Sequence, residues 1–221
     1  MSAPLAPDPG PPPAGFLVLL PVKPPALGKS RLVGLGHDER RLLARAFALD
    51  TAQAALAAHH VAGVLVATDD AAFSAELTAL GCVAIPDGVS LDLNGTLRQA
   101  AAEAARRWPG LVPVALCADL PALRAVDLDE ALGEVAEAIA AGTPASFVAD
   151  TEGVGTTLYT APYDAFDPHF GLESAAVHQA RGARPVQAAA PTLRRDGDDL
   201  DDLAGARAHG GGPCTAALTG R

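Results

Sequence analysis

Aromatic residues are scarce: Phe, Tyr and Trp make up 4% of the 221 residues, against 49% apolar residues overall. A hydrophobic core is therefore expected, but it must be built from Ala, Leu and Val. Cysteine is also sparse. Cys82, Cys117 and Cys214 lie far apart, no pair has metal-ligand spacing, and the number is odd. They read as small hydrophobes plus one tail thiol. Basic residues are outnumbered, 16 Lys and Arg against 26 Asp and Glu, for a formal net charge of -10. A general nucleic-acid coat needs clustered cations, so that class is set aside, while a local basic pocket for one nucleotide is not. Long apolar runs are missing too. The longest near the start, Phe16 to Pro21, has the length of a strand and falls far short of the ~20 residues of a membrane span. No basic segment of signal-peptide type precedes it. A soluble, cytoplasmic protein with neither nucleic acid nor membrane as partner is the expectation.

Residues 1–14 are mostly Pro, Ala and Gly and cannot bury enough surface to order themselves, which predicts a disordered leader. A Gly-Gly-Gly run marks residues 208–221 as a flexible tail. Residues 15–207 contain no linker and no repeat, so they are read as a single domain. Within them strand-like and helix-like segments alternate. Phe16–Leu20 is a continuous apolar run suited to a strand covered on both faces. His37 to Ala58 carries Leu42, Leu43, Ala46, Phe47 and Leu56 at helical spacing. Strands are then predicted at Val61–Thr68, Cys82–Ile85, Leu111–Cys117 and Ala145–Ala149. Helices are predicted at Ala71–Leu80, Asn94–Trp108 with Asn94 as N-cap, and from Asp127 to Ala140 with Asp127 and Glu130 as a capping box. Thr156–Thr160 reads as a sixth strand, antiparallel because the link before it is too short for a helix. A helix from Leu172 to Ala180 and two short late elements complete the chain. Four β-then-α units in a row specify an α/β fold, a mostly parallel mixed sheet with helices on both faces.

In such a sheet the ligand sits at the carboxyl ends of the strands. Those ends are Pro21-Val22-Lys23, Thr68-Asp69-Asp70, Pro86-Asp87, Ala118-Asp119-Leu120 and Ala149-Asp150, four acidic and one basic. Lys23, Lys29 and Arg31 share one loop in an otherwise acidic chain. That loop can wrap a triphosphate through point charges and a forked guanidinium, or it can be an ordinary solvated loop. It lacks the glycine pattern of a Walker A loop. Asp119 and Asp150, at neighbouring strand ends, can share a magnesium ion with phosphate oxygens; each can equally be a turn or cap residue. Gly153-Val-Gly-Thr156 and Phe170-Gly-Leu-Glu-Ser174 offer small residues, hydroxyls and a helix start to an anion, the alternative being a tight hairpin and a plain helix start. No Ser-His-Asp or Cys-His arrangement stands out. His59 and His60 read as surface residues, and His169 and His178 have no spaced partner.

These segments together resemble the guanylyltransferases of coenzyme F420 biosynthesis, which act on phosphoenolpyruvate or 2-phospho-L-lactate. The resemblance runs from Phe16 to Leu203. It rests on Val22-Lys-Pro-Pro-Ala-Leu-Gly-Lys-Ser-Arg-Leu32, Leu93-Asn94, Ala118-Asp-Leu-Pro-Ala-Leu123, Phe147-Val-Ala-Asp150, Gly153-Val-Gly-Thr156, Phe170-Gly-Leu-Glu-Ser-Ala175 and Leu193-Arg-Arg-Asp196. It implies a Rossmann-like sheet of the nucleotide-diphospho-sugar transferase type. It gives Lys23, Lys29 and Arg31 to the triphosphate of GTP, Asn94 to the nucleoside, and Asp119 and Asp150 to Mg2+. Thr156, Gly171 and Ser174 fall to the phosphoenolpyruvate-type substrate. The family's late Asp-Val-Asp-Thr-Pro is here Asp196-Gly-Asp-Asp-Leu200, so its Thr-Pro cap is gone. The implied product is an activated intermediate for a downstream deazaflavin transferase. The residues do not choose between the two acids; the Ala-, Gly- and Pro-rich composition of a high-GC gene tilts the family analogy toward phosphoenolpyruvate. Two other readings stay open: a nucleotidyltransferase of this fold acting on molybdopterin or a sugar phosphate, and a non-catalytic nucleotide-binding module.

Overall fold

The computed structural model describes residues 15–22, 36–89, 92–197 and 212–218. Seven strands form one sheet: β1 (Phe16–Pro21), β2 (Val61–Ala67), β3 (Val83–Ile85), β4 (Val112–Leu116), β5 (Ser146–Ala149), β6 (Thr156–Thr160) and β7 (Arg184–Pro185). Among the described residues the α-helices are α1 (His37–Ala57), α2 (Ala71–Ala79), α3 (Leu93–Arg107), α4 (Ala125–Ala140), α5 (Ser174–Ala180) and α6 (Pro213–Leu218), with a 3-10 turn at Tyr163–Ala165. The strand order is β3-β2-β1-β4-β6-β5-β7. β1 pairs in parallel with β2 and β4, and β2 with β3, while β6 runs antiparallel to both of its neighbours, β4 and β5.

Alternation along the strands sorts the core into two layers. Phe16, Val18 and Leu20 pack with Ala48 and Ala52 of α1, Leu77 of α2 and Leu128 and Leu132 of α4. Leu17 and Leu19 face the other way, onto Leu97, Ala100 and Ala104 of α3 and Ala175 of α5. Small alanines let the helices lie close to the sheet, so few aromatics are needed. Where α2 ends, Gly81 takes φ 109°, a left-handed closure that favours glycine, and Cys82 N–H returns to the Leu77 carbonyl.

Four local expectations are corrected. The cap of α3 is Asp92, whose carboxylate accepts from Gly95 N–H at 2.9 Å, and Asn94 lies inside the helix. The N-cap of α4 is Arg124, so Asp127 is in the first turn rather than at a capping box. There it is buried and accepts from the Thr192 N–H (2.9 Å) and hydroxyl (2.6 Å). The tail expected to be flexible from residue 208 contains α6, held against α1 by Asp50. That buried carboxylate accepts from Cys214 N–H and Thr215 N–H, both at 2.8 Å. α5 also begins at Ser174, two residues later than its sequence pattern suggested. The predicted leader, residues 1–14, lies outside the described residues.

Candidate active site

The sheet order reverses between β1 and β4: β2 follows on one side of β1, and β4 stands on the other. A crevice therefore opens at the carboxyl ends of β1 and β4. β1 leaves the sheet at Val22, whose N–H bonds the Ala67 carbonyl. Lys23, Lys29 and Arg31 follow in the chain and lie outside the described residues.

Asp119 stands at this rim, two residues beyond Cys117, whose N–H bonds the Thr157 carbonyl at 2.9 Å. Its loop is braced from below by Thr51 of α1. The buried Thr51 hydroxyl accepts from Leu120 N–H (3.1 Å) and lies 2.8 Å from the Phe47 carbonyl and 3.3 Å from that of Ala118. The late segment crosses above, with Gly197 N–H donating to the Asp119 carbonyl at 2.8 Å. A Cβ at Gly197 would come within 2.8 Å of the Phe47 ring, so this crossing needs glycine. Asp196 is thereby brought beside Asp119, while Asp198 lies outside the described residues.

Asp150 is at the same rim but not at a neighbouring strand end, because β6 lies between β4 and β5. Two strand spacings put the β4 and β5 backbones about 10 Å apart. Both Asp150 oxygens already accept backbone N–H groups, from Val154 at 2.9 Å and Gly155 at 2.7 Å. The Gly153-Val-Gly155 loop thus gives two of its donors to Asp150 instead of to a ligand, and a side chain at Gly155 would collide with that carboxylate. Each carboxylate oxygen keeps a further lone pair. Among the described residues no three His, Cys, Asp or Glu side chains gather as a metal group. Hard carboxylates at this rim are of the chemistry that a divalent cation takes together with phosphate and water oxygens.

Arg194 ties down the segment next to Asp150. Its guanidinium donates to the carbonyls of Ala149 (3.1 Å), Val186 (2.8 Å), Ala188 (2.9 Å) and Ala189 (3.1 Å). Its own carbonyl accepts from the Thr151 N–H and hydroxyl.

His178 of α5 reaches Thr156 on β6; Ser174 opens the same helix, and Gly171 lies in the loop just before it. Between Val148 and Ala149 the β5–β6 register slips, so that Ala149 pairs with Thr156 and Thr157 is passed over. Such a bulge re-aims a side chain. The Thr156 hydroxyl meets His178 Nδ1 at 3.0 Å, and Ser174 opens the helix that carries His178 one turn later. Ala175 N–H is fastened to the Val154 carbonyl. Gly171 has φ 144°, with open space where a Cβ would stand. The preceding Phe170 is clamped by Asn94, which donates Nδ2–H to the Phe170 carbonyl (2.9 Å) and accepts Phe170 N–H at Oδ1 (2.8 Å). The Asn94 amide thus holds the loop carrying Gly171 and keeps one N–H and one lone pair for the nucleoside beside which the resemblance placed it.

The His178 ring is 1% exposed, stacks on Tyr159 at 4.6 Å and meets Phe170 edge-on at 5.7 Å. Burial, followed by the charge of His169, lowers its pKa to about 4, so the ring is neutral at ordinary pH. Nearby, hydrogen bonds from His169 and Arg181 hold Asp167 below the usual carboxylate range. The sequence put His178 on or near this site but gave it no role. The available signal was its place four residues after Ser174, on the same buried face of α5.

Among curated relatives, a phosphoenolpyruvate guanylyltransferase of Thermomonospora curvata is 47% identical over 206 residues, which span 92% of this chain and 88% of the relative. The chain belongs to the phosphoenolpyruvate guanylyltransferase family. No protein-family model matches it. Solved structures with the same fold include a nucleotidyl transferase of Methanothermobacter thermautotroptrophicus, with TM-score 0.62 and 16% identity, covering 88% of this chain and 97% of that one. A nucleotide-diphospho-sugar transferase of Desulfovibrio desulfuricans gives TM-score 0.56 at 20% identity, covering 77% and 78%. At these identities the two structures establish the α/β sheet type, as the sequence resemblance implied. The family membership makes the protein a nucleotidyltransferase.

Proposed function

We propose that the protein joins GMP from GTP to the phosphate of phosphoenolpyruvate and releases diphosphate. The observation that carries this reading is the 47% identity over nearly the whole chain to a relative of that name, supported by Asp119, Asp150 and Thr156 at strand ends on one rim. A phosphate oxygen of the acid attacks the α-phosphorus of GTP in line. The new phosphorus–oxygen bond forms as the bond to the β-phosphate oxygen breaks. The attacking oxygen is already an anion, so no general base is needed, and catalysis consists of positioning and charge neutralisation.

Lys23, Lys29 and Arg31 take the triphosphate in this proposal. Thr156, Gly171 and Ser174 hold the acid through a hydroxyl, an uncovered backbone turn and a second hydroxyl. Asp119 and Asp150 hold magnesium, which when bound draws charge from the phosphate oxygens. Asn94 fixes the Phe170–Gly171 turn. The product is an activated enolpyruvate for a downstream deazaflavin transferase of coenzyme F420 biosynthesis in the cytoplasm.

The test is diphosphate release from GTP with magnesium and either phosphoenolpyruvate or 2-phospho-L-lactate, with the next enzyme present to trap the product. Phosphoenolpyruvate should give the higher kcat/KM; turnover with neither acid would remove the proposal. Asp119→Asn should cut turnover by about 100-fold or more while the melting temperature stays near that of the parent. Ordinary turnover in that variant would take Asp119 out of the metal site.

A further inference from the structure

We propose that His178 is a positioning residue that fixes the proton of the Thr156 hydroxyl so that it points away from the imidazole and toward the acid substrate. The inference rests on the reading of Thr156 as part of the acid site. It starts from the far side of the ring. His169 N–H donates to His178 Nε2 at 2.9 Å, so Nε2 carries a lone pair and no proton. A neutral imidazole with a bare Nε2 must carry its proton on Nδ1. Nδ1 is the atom 3.0 Å from Thr156 Oγ1 and is therefore the donor in that contact. Thr156 then accepts from His178, and its own O–H must be donated elsewhere.

No other described residue accepts from that hydroxyl, although Thr156 is only 6% exposed. Its proton is left for a group arriving at the rim. Without the histidine the hydroxyl could turn its proton inward and face an anionic substrate with lone pairs. The ring itself cannot rotate, because Tyr159 stacks on one face and Phe147 and Phe170 close around it. The titratable or charged groups facing it are His169, Asp167, Arg181 and Tyr159. Asp167 is engaged by His169 Nε2 at 2.8 Å and by Arg181 at 2.7 Å. The backbone N–H of His169 thus sets the tautomer of His178, and that tautomer sets the polarity of Thr156.

The experiment uses the full chain with GTP, magnesium and phosphoenolpyruvate. His178→Phe keeps an aromatic ring and loses the donor, while His178→Asn places an amide N–H near the former Nδ1. His178→Phe should raise KM for phosphoenolpyruvate about tenfold and change KM for GTP less than about twofold. His178→Asn should recover most of the loss. Thr156→Val should resemble His178→Phe, and the double variant should be no worse than Thr156→Val alone. An unchanged acid KM in His178→Phe, or losses that multiply in the double variant, would overturn the proposal. Nitrogen NMR of the imidazole provides a readout independent of turnover. The Nδ1–H tautomer should persist from pH 8 to about pH 5, and an Nε2–H tautomer or an imidazolium there would also overturn it. If the parent enzyme does not turn over phosphoenolpyruvate, the functional reading fails on its own, while the NMR result still decides the tautomer.

Discussion

The two halves of the sheet are held together differently. On one side β3, β2, β1 and β4 are all parallel and linked by helices, over two apolar layers that continue beneath the other half. On the other side β6, β5 and β7 are mixed in direction. That half is fastened by polar side chains on backbone groups: Asp150 on its loop, Arg194 on four carbonyls, Asp127 on Thr192 and Asn94 on Phe170. Non-directional packing suffices to build a platform, whereas placing hydroxyls for a small anion needs directional bonds. The difference teaches that beside the acid-facing loops the core is supplemented by directional bonds to backbone groups.

The sharpest way to break this contrast is to damage each half separately. Leu65→Ala in the centre of β2 should cost about 3 kcal/mol of unfolding free energy by denaturant titration, with little effect on KM for the acid. In the mixed half, pH offers a comparable probe. His178 has a folded pKa of about 4 against about 6.5 unfolded. A depressed pKa contributes stability that is fully present above pH 6.5 and is lost as pH falls through 4. Compared with His178→Asn, the parent should lose on the order of 2–3 kcal/mol between pH 7 and pH 4. Parallel pH profiles for the two proteins would show that burial does not hold this ring neutral.

Smaller effects sharpen the comparison further. Asp127→Ala strips the partner from the Thr192 N–H and hydroxyl and should cost about 2 kcal/mol. Asn94→Ala should cost less, about 1 kcal/mol, because the amide is only partly buried. It should nevertheless raise KM for the acid several-fold by loosening the turn at Gly171. A larger effect of Asn94→Ala on KM for GTP would return the residue to the nucleoside side, where the family resemblance had placed it.

The parallel half was legible in the sequence because its signals are local. Apolar runs such as Phe16–Leu20 and the periodic positions from His37 to Ala57 define elements without knowledge of distant residues. That Asp119 and Asp150 follow the carboxyl ends of their strands was readable from the β-then-α alternation. The insertion of β6 between them was not, since a hairpin can dock on either side of its partner. Side chains whose partners are remote were misread or missed. Asp127 bonds Thr192, 65 positions away, and was mistaken for a local cap. Thr51 braces the Asp119 loop across 69 positions. Asp50 holds α6 across 164 positions, so the tail looked flexible. His178 had no spaced partner because its partners are a strand hydroxyl and a backbone N–H.

Arg194 has a consequence for how the molecule behaves in a crowded solution. β7 has only two residues, so β5 outruns its neighbour and its last carbonyl, that of Ala149, would be left pointing outward. An exposed ladder carbonyl invites a strand from another molecule. The guanidinium takes that carbonyl together with those of Val186, Ala188 and Ala189. One side chain thus stands in for the missing end of a strand, and at this corner of the sheet four carbonyls are already taken before another chain could pair with them.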